Sequence, residues 1–600
     1  MDDQNKNLIL AIALSLLVLL GWSFFVPQPE PIVDPNANAV AENDGGLTPP
    51  VADADGSSAP ATVTEVEPAS KAIEIPIETD RVIGSLSTLG GRIDNLSLKD
   101  YRETIEPDSA LVTLLSPEDS DAPYYALYGW GPAGGLDPSL VPGRATIWSV
   151  EEGEKLSVDT PVTLVWDNGA GLIFKRKISI DADYMFSIEQ SVTNTTDSAK
   201  RLYPYGMITQ HGEPETIGFF ILHEGVVRMS DEKLEEIKYK NIPDMDYSER
   251  ENARVEPIDV TENGWVGFTG KYWMTTLIPG REQPFTSVAK YVDSHKVYTT
   301  ESRLPVMDVT AGGTIAVSTQ LFAGAKEWNL IRDYQNEGGV SGFLDSIDWG
   351  MFFFLTKPMF WLLHTLNGFI GNMGWSIIAL TIIIKALLLP LAYKSYVSMA
   401  KMKKLQPEME KIKERAGDDR QKLQTEMMAL YKREKANPAS GCLPILLQIP
   451  IFFSLYKVIF VTIELRHAPW IGWIRDLSAP DPSSILNLFG LLPFDAPDPS
   501  SLLAIISLGV LPIILGISMW LQQKLNPAPT EPTQAMVMAW MPWVFMFMLG
   551  NFASGLVLYW IANNTITFIQ QYAIMRSQGI KPNVFENITS GMKKFRRNAK

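Results

Sequence analysis

The sequence predicts a multi-span α-helical membrane protein with six transmembrane helices and a large antiparallel β-sandwich inserted between the first and second. Three observations carry this reading. Apolar runs close to the length of a bilayer core occur once near the start, at 8–26, and repeatedly after residue 368. Between 71 and 325 the pattern changes to short alternating runs separated by Gly, Pro, Asn and Asp. Charge is also segregated: the net −17 of this 600-residue chain arises mainly before residue 345, whereas the later polar segments are locally basic.

Taken in order, residues 1–26 read as an N-terminal membrane anchor. A cleaved signal is the poorer reading, because Trp22-Ser23-Phe24-Phe25 is not a small-residue cleavage site. Residues 27–70, rich in Pro, Ala and acids and without Lys or Arg, form an acidic tether on the outer side. Residues 71–325 hold the sandwich, with strands such as IEIPI at 73–77, TLVW at 163–166, IFKRKI at 173–178 and FSIE at 186–189. Within it Trp265, Tyr272 and Trp273 read as core. A linker and an interfacial amphipathic helix fill 326–368. The second span is expected at 369–391, with Lys385 ~24 Å into it and Thr381 one turn away on the same face.

Residues 392–440 predict a helical hairpin. Met402, Leu405 and Met409 on one arm and Leu423 and Met427 on the other fall at three- and four-residue spacing, around a Gly417-Asp418-Asp419 turn. From 394 to 435 there are 12 Lys and Arg against 7 Asp and Glu, a balance of +5 that assigns the hairpin to the cytoplasm. Spans follow at 441–462, 501–523, 534–550 and 555–575. They are joined by an outer loop at 463–500, an inner turn at 524–533 and a tight outer turn, and they end in a basic tail at 576–600. Both termini are then cytoplasmic.

The single cysteine, Cys442, excludes a disulfide framework, and the five scattered histidines show no metal-ligand spacing, so neither a metal nor another cofactor is implied. No nucleophile is set beside a base, which argues against an enzyme, and nothing points to nucleic-acid binding. The conspicuous polar group is Lys385, read as the one buried cation in five spans that contain no Asp or Glu. The last span adds Trp560, Asn563, Asn564, Thr567, Gln570 and Gln571, of which Trp560, Asn563 or Asn564, Thr567 and Gln571 form one stripe, and the third span adds Gln448. Such amides also glue helices together, and that reading stands beside a functional one. A proton- or sodium-coupled transporter is expected to carry ionisable acids or broken helices near the midplane, and the sequence shows neither. A small-solute transporter and an anchored outer-side binding protein remain the rivals.

The stretches NPASGCLPILLQIPIFFSLY at 437–456, ASGLVLYWIANN at 553–564, SMAKMKKLQPEME at 398–410, GDDRQKLQTEMMALYKREK at 417–435 and ELRHAPWIGWIRDLSAPDP at 464–482 closely resemble the YidC/Oxa/Albino family of membrane insertases. The likeness covers 348–577 closely. More loosely it includes the anchor and the β domain, as in the Gram-negative type. The resemblance implies a five-helix insertase core around a hydrophilic groove, a cytoplasmic hairpin that helps recruit substrate, and a periplasmic β domain. It implies insertion and folding of nascent inner-membrane proteins, alone or with the Sec translocon, in contact with ribosome and membrane lipids. Carried over by position, the groove cation falls on Lys385, the groove hydroxyl on Thr381 and an aromatic contact on Trp560. The family more often has Arg where this chain has Lys385, so the bidentate fork is lost while the charge is kept.

Overall fold

The computed structural model describes residues 72–216, 222–417, 419–434, 443–493, 497, 503, 507–526 and 532–580. The expected anchor, the acidic tether, Cys442 and the basic tail lie outside these residues.

Alternation in 72–325 becomes two antiparallel sheets, of eleven and nine strands. At the heart of the larger sheet, Lys200–His211 pairs with Tyr124–Ala133 on one side, Met207 opposite Leu127, and with Val297–Arg303 on the other. At the heart of the smaller, Thr314–Ala325 lies between Met185–Asn194 and Trp273–Ile278. Facing side chains such as Trp130, Phe174, Phe186, Trp265 and Phe322 are buried in one core. Strand Lys200–His211 is buried on both faces, because Tyr203, Tyr205 and Met207 join Leu127 and Ala133 in a second cluster on the opposite side. Two polar devices sit inside the apolar packing. Arg176 donates to the carbonyls of Gly90, Gly91 and Tyr128, and Lys290 and Arg303 share Glu251 and Glu301. Of the three aromatics read as core, Trp265 is fully buried and donates to the Ser341 carbonyl at 3.0 Å. Tyr272 and Trp273 are half-buried, with the Arg466 guanidinium 5.4 Å from the Trp273 ring centre.

The helical region begins with α1 (Trp328–Asn336), whose Tyr334 hydroxyl donates to Asp181 of the β domain at 2.6 Å. Helix α2 (Phe353–Ile370) packs through Phe360 against Trp328 and Trp349. The expected span at 369–391 is not one helix. Gly371, at φ 71° in the left-handed region, closes α2. The Asn372 side chain then accepts from the Trp375 amide and starts α3 (Met373–Leu387). Pro390 lacks the donor a continuous helix needs, so the chain breaks at Leu388 and α4 (Leu389–Ala416) leaves at 69°. The sequence reading, which finds no broken helix, does not foresee this break. Lys385 is therefore ~18 Å into its helix rather than ~24 Å, and lies beside the bend.

Helix α5 (Arg420–Arg433) returns along α4, capped by Asp419, which accepts from the Gln421 and Lys422 amides. Leu405, Met409 and Ile412 meet Leu423, Met427 and Leu430 along the predicted seam, whereas Met402 is half-buried outside it. Helices α6 (Leu443–Val461), α7 (Val510–Leu525), α8 (Pro532–Met548) and α9 (Ser554–Ser577) complete the bundle.

Among the described residues no single helix is long and apolar enough to cross a membrane. Only α3 with α4 meets that test, as a bent pair, so the six-span count is not reproduced. The cause is local. Helices α3, α7 and α8, of 15, 16 and 17 residues, reach ~23–26 Å, short of a ~30 Å hydrocarbon core, whereas α9 has the length, at 24 residues, but is made too polar by its Asn, Gln and Thr side chains. The ends are set by caps the hydropathy pattern does not register. Helix α7 starts at Val510 rather than 501 because Ser483 Oγ and Asp481 accept the Val510 and Leu511 amides.

Candidate functional site

Helix α9 is the polar element of the bundle, and it packs against α7 and α3. At ~100° per residue its side chains divide into two sectors. Tyr559, Asn563 and Gln570 fall within ~40° of one another, and from this sector Tyr559 meets α6 and Gln570 meets α3. Asn564 and Gln571 lie ~100° further round and look towards α7. Hydrogen bonds follow that division. Asn564 donates to Ser518 Oγ at 3.2 Å and Gln571 donates to Asn526 at 3.2 Å, both across to α7 or its C-cap. These two amides act as the interhelical glue that polar groups supply where water is scarce.

On the other side, Lys385 Nζ donates to Gln448 Oε1 at 3.0 Å, and Gln448 Nε2 donates to the Tyr559 hydroxyl at 3.0 Å. Gln570 Nε2 donates to the Lys385 carbonyl at 3.3 Å. Helices α3, α6 and α9 thus meet through one polar chain. Among the described residues no carboxylate lies within ion-pair distance of Lys385, which is half-buried. A hydrogen bond to a charged group contributes ~1.5–3 kcal/mol, comparable to the ~2.5–3.5 kcal/mol cost of Lys at mid-bilayer on insertion scales. The amide therefore holds the cation in place without neutralising it.

The other expected site residues are placed differently from one another. Thr381 is buried and its hydroxyl donates back to the Ile377 carbonyl at 2.7 Å. That proton is spent within the helix, as is common for Thr. Asn563 donates to Asn564 at 3.4 Å, and its own carbonyl oxygen is buried without a partner among the described residues. Thr567 is buried one turn further along, beside Tyr396. Trp560 does not join the Lys385 chain. Its ring centre lies 4.6 Å from that of Phe452, tilted against it, and 6.3 Å edge-on from that of Phe545, within an aromatic run that continues through Tyr456 to Phe460.

Two family models together span most of the chain. The one described as the YidC periplasmic domain matches residues 74–362, and the one described as the 60Kd inner membrane protein matches 365–581. Relatives named membrane protein insertase YidC align over nearly the whole length. That of Dinoroseobacter shibae is 63% identical over 599 residues, covering 99% of each chain. That of Roseobacter denitrificans is 61% identical over 604 residues, again covering 99% of each. This chain belongs to the YidC family of membrane protein insertases. Among solved structures, an active YidC insertase with its first transmembrane domain resolved aligns over 84% of this chain and 95% of its own, at 17% identity and a TM-score of 0.35. A galactose mutarotase related enzyme from Lactobacillus acidophilus aligns over 42% of this chain and 97% of its own, at 11% identity and a TM-score of 0.28. The assignment stands on the sequence relatives. The two-sheet domain is the YidC periplasmic domain.

Sequence reasoning passed over three features of this YidC-family bundle. Tyr559, not Trp560, joins Gln570 in completing the Lys385 chain; the signal for Tyr559 was its helical register with Asn563. Lys385 is not the one buried cation, because Lys457 of α6 is 5% exposed and pairs with Asp348 at 2.5 Å. Asp348 also accepts the His223 amide at 2.8 Å, so this pair joins α6 to the β domain. The acid lies just before α2, outside any span, and a count of acids within spans does not find it. Finally, Lys403 donates to the carbonyls of Lys524 and Leu525, and Lys404 to that of Gln578. These lysines tie the foot of the hairpin to the C-termini of α7 and α9, where a cation is favoured by the helix dipole.

Proposed function

We propose that this chain inserts nascent inner-membrane proteins by offering their polar segments a partly hydrated path beside Lys385 while their apolar segments partition sideways into lipid. The observation that carries this reading is a cation held by Gln448 and the Tyr559 chain but left without a counter-charge among the described residues. Such a site suits a visitor that brings its own acidic or polar groups, because desolvation of those groups is the main obstacle to crossing. No covalent bond needs to be made or broken. In this reading Thr381, Asn563, Asn564 and Thr567 line or brace the polar side, and Trp560 presents an aromatic edge to the apolar part of a substrate.

The bundle is read as five spanning elements behind an N-terminal anchor, with α2 in the outer interface, both termini cytoplasmic and the β domain periplasmic. The basic hairpin of α4 and α5 suits transient contact with ribosome, nascent chain or anionic headgroups. The insertase works alone or alongside the Sec translocon, and it also assists folding of what it inserts. The test is protease protection of a single-span substrate synthesised onto liposomes that contain only this protein. Protection of the tail with wild-type protein, and its loss with Gln448→Leu combined with Tyr559→Phe, is the expected result. Full protection by the double variant, or solute leakage without insertion, would overturn the reading.

A further inference from the structure

A second polar feature lies at the opposite end of the bundle, where the β domain rests on it. A cavity of about 270 Å3 opens there between the turn preceding Trp273–Ile278, the end of α6, the loop at 478–480 and the turn into α9. Lys271, Ser478 and Asn551 supply its polar side, and Tyr456, Phe460 and Leu556 its apolar side. Pro480 and Asn551 are exposed at the mouth, and Ile459 and Leu556 are buried at the floor.

Lys271 is the unusual member. Its ammonium stands 4.1 Å from the centre of the Phe460 ring and 4.6 Å from that of Tyr272, and among the described residues it has no carboxylate within ion-pair distance. The acids that act on it from further away are Asp476 and Glu224, with Arg466 acting against them. Asp476 is already engaged, accepting from the His467 amide at 3.1 Å and from the Ser478 amide and hydroxyl at 2.7 Å. Burial accordingly pulls the Lys271 ammonium down to about 8, against the pull of Asp476 and Glu224. Arg466 holds the Glu103 carbonyl at 3.3 Å and faces Trp273. Aromatic faces alone offset only part of what desolvation costs a cation.

We propose that this cavity binds the headgroup of an anionic phospholipid, with its phosphate on Lys271 and the start of its acyl chains along Tyr456, Phe460 and Leu556. Its place at the end of α6 and the start of α9, lined by Ser478 and Pro480 of the loop that also carries Trp470 and the half-exposed Trp473, matches the depth at which aromatic side chains mark the membrane surface. The volume fits a headgroup and not a whole lipid, so the tails must leave through the mouth into the surrounding bilayer. A bound phosphate supplies the missing counter-charge and fastens the β domain to the bundle through the lipid. This site does not depend on the role of Lys385.

The test uses the full-length protein, stripped of lipid in neutral detergent and titrated with dioleoyl phosphatidylglycerol, dioleoyl phosphatidylcholine or glycerol 3-phosphate, with bound molecules counted by native mass spectrometry. One phosphatidylglycerol is expected to bind about fivefold more tightly than phosphatidylcholine, the ratio one lysine supplies near a membrane surface. Glycerol 3-phosphate should bind more weakly than either. Lys271→Gln should remove the preference and Lys271→Arg keep it, while both melt as wild type does in detergent alone. Equal binding of the two lipids by wild type, or an unchanged preference in Lys271→Gln, would overturn the proposal. So would equally tight binding of glycerol 3-phosphate, which would make this a free-phosphate site, or displacement of the lipid by a soluble acidic peptide at equal concentration, which would make it a substrate-tail site.

Discussion

Replacing Lys385 separates a groove cation from a lysine that merely anchors a helix end. Its ammonium is fixed by one 3.0 Å bond to Gln448, and no acid balances it among the described residues. A substrate carboxylate passing ~6 Å away attracts it by ~1.4–2.8 kcal/mol at an effective dielectric of ~20–40. That corresponds to about 10- to 100-fold in favour of an acidic over a neutral tail. Lys385→Leu should abolish this preference and leave neutral-tailed substrates near wild-type rates, because Gln448 keeps its bond to Tyr559. Lys385→Glu should invert it. Lys385→Arg should retain it, since only charge is required in this geometry. The assay is insertion of one single-span substrate with neutral, acidic or basic tails, at matched expression of each variant. Equal insertion of all three tails by Lys385→Glu would refute the reasoning and leave Lys385 as an interfacial anchor.

Three further outcomes follow from particular contacts. Lys457→Met or Asp348→Asn, each removing one charge of a buried pair that joins α6 to the β domain, should cost ~3–5 kcal/mol and lower the melting temperature. The double variant should recover most of that loss, and no recovery would show that the pair is not coupled. Ile412→Asp, placed in the closed seam between α4 and α5, should unseat the hairpin and slow insertion, while the bundle still melts as in wild type; unchanged insertion kinetics would remove its recruiting role. Burial pushes the Asp94 carboxyl up to about 7, with Glu74 adding to the effect and Arg92 opposing it. The folded β domain then holds a proton that the unfolded chain releases near pH 4, so its stability should fall as pH rises from about 4 to 7. Asp94→Asn should flatten that slope in pH-dependent thermal unfolding, and an unaltered slope would place the titration elsewhere.

The parts of the fold that were legible in the sequence are those where a single period governs. Alternation between 72 and 325 marks the two-sheet domain because each strand has one face to bury, but nothing local specifies that Lys200–His211 should be covered on both faces. The hairpin seam was legible because Leu405, Met409, Leu423 and Met427 repeat at helical spacing on a polar background. Met402 fits the same period yet lies outside the seam, since that end of α4 packs on α7 and α9 instead. Helix ends in apolar stretches were not legible, because Gly371, Asn372 and Pro390 act through backbone geometry and one hydrogen bond, and hydropathy averages over both. The candidate site was half legible. Lys385 and Gln448 stand out as polar residues in apolar runs, whereas Tyr559 is hidden beside the larger Trp560. Lys457 was itself legible as a second lysine, inside the expected span at 441–462, and only its pairing with Asp348, remote in sequence, was not.

The central claim is that polar nascent segments pass along the Lys385 face of α9. The most direct measurement is photocrosslinking from position 570, whose side chain reaches the Lys385 carbonyl, to the polar tail of a stalled single-span substrate. Position 540, 65% exposed on α8, serves as the control. The account predicts strong crosslinks to the tail from position 570, weakened for acidic tails by Lys385→Glu, and crosslinks from position 540 only to lipid. Tail crosslinks from position 540 with none from position 570 would contradict it.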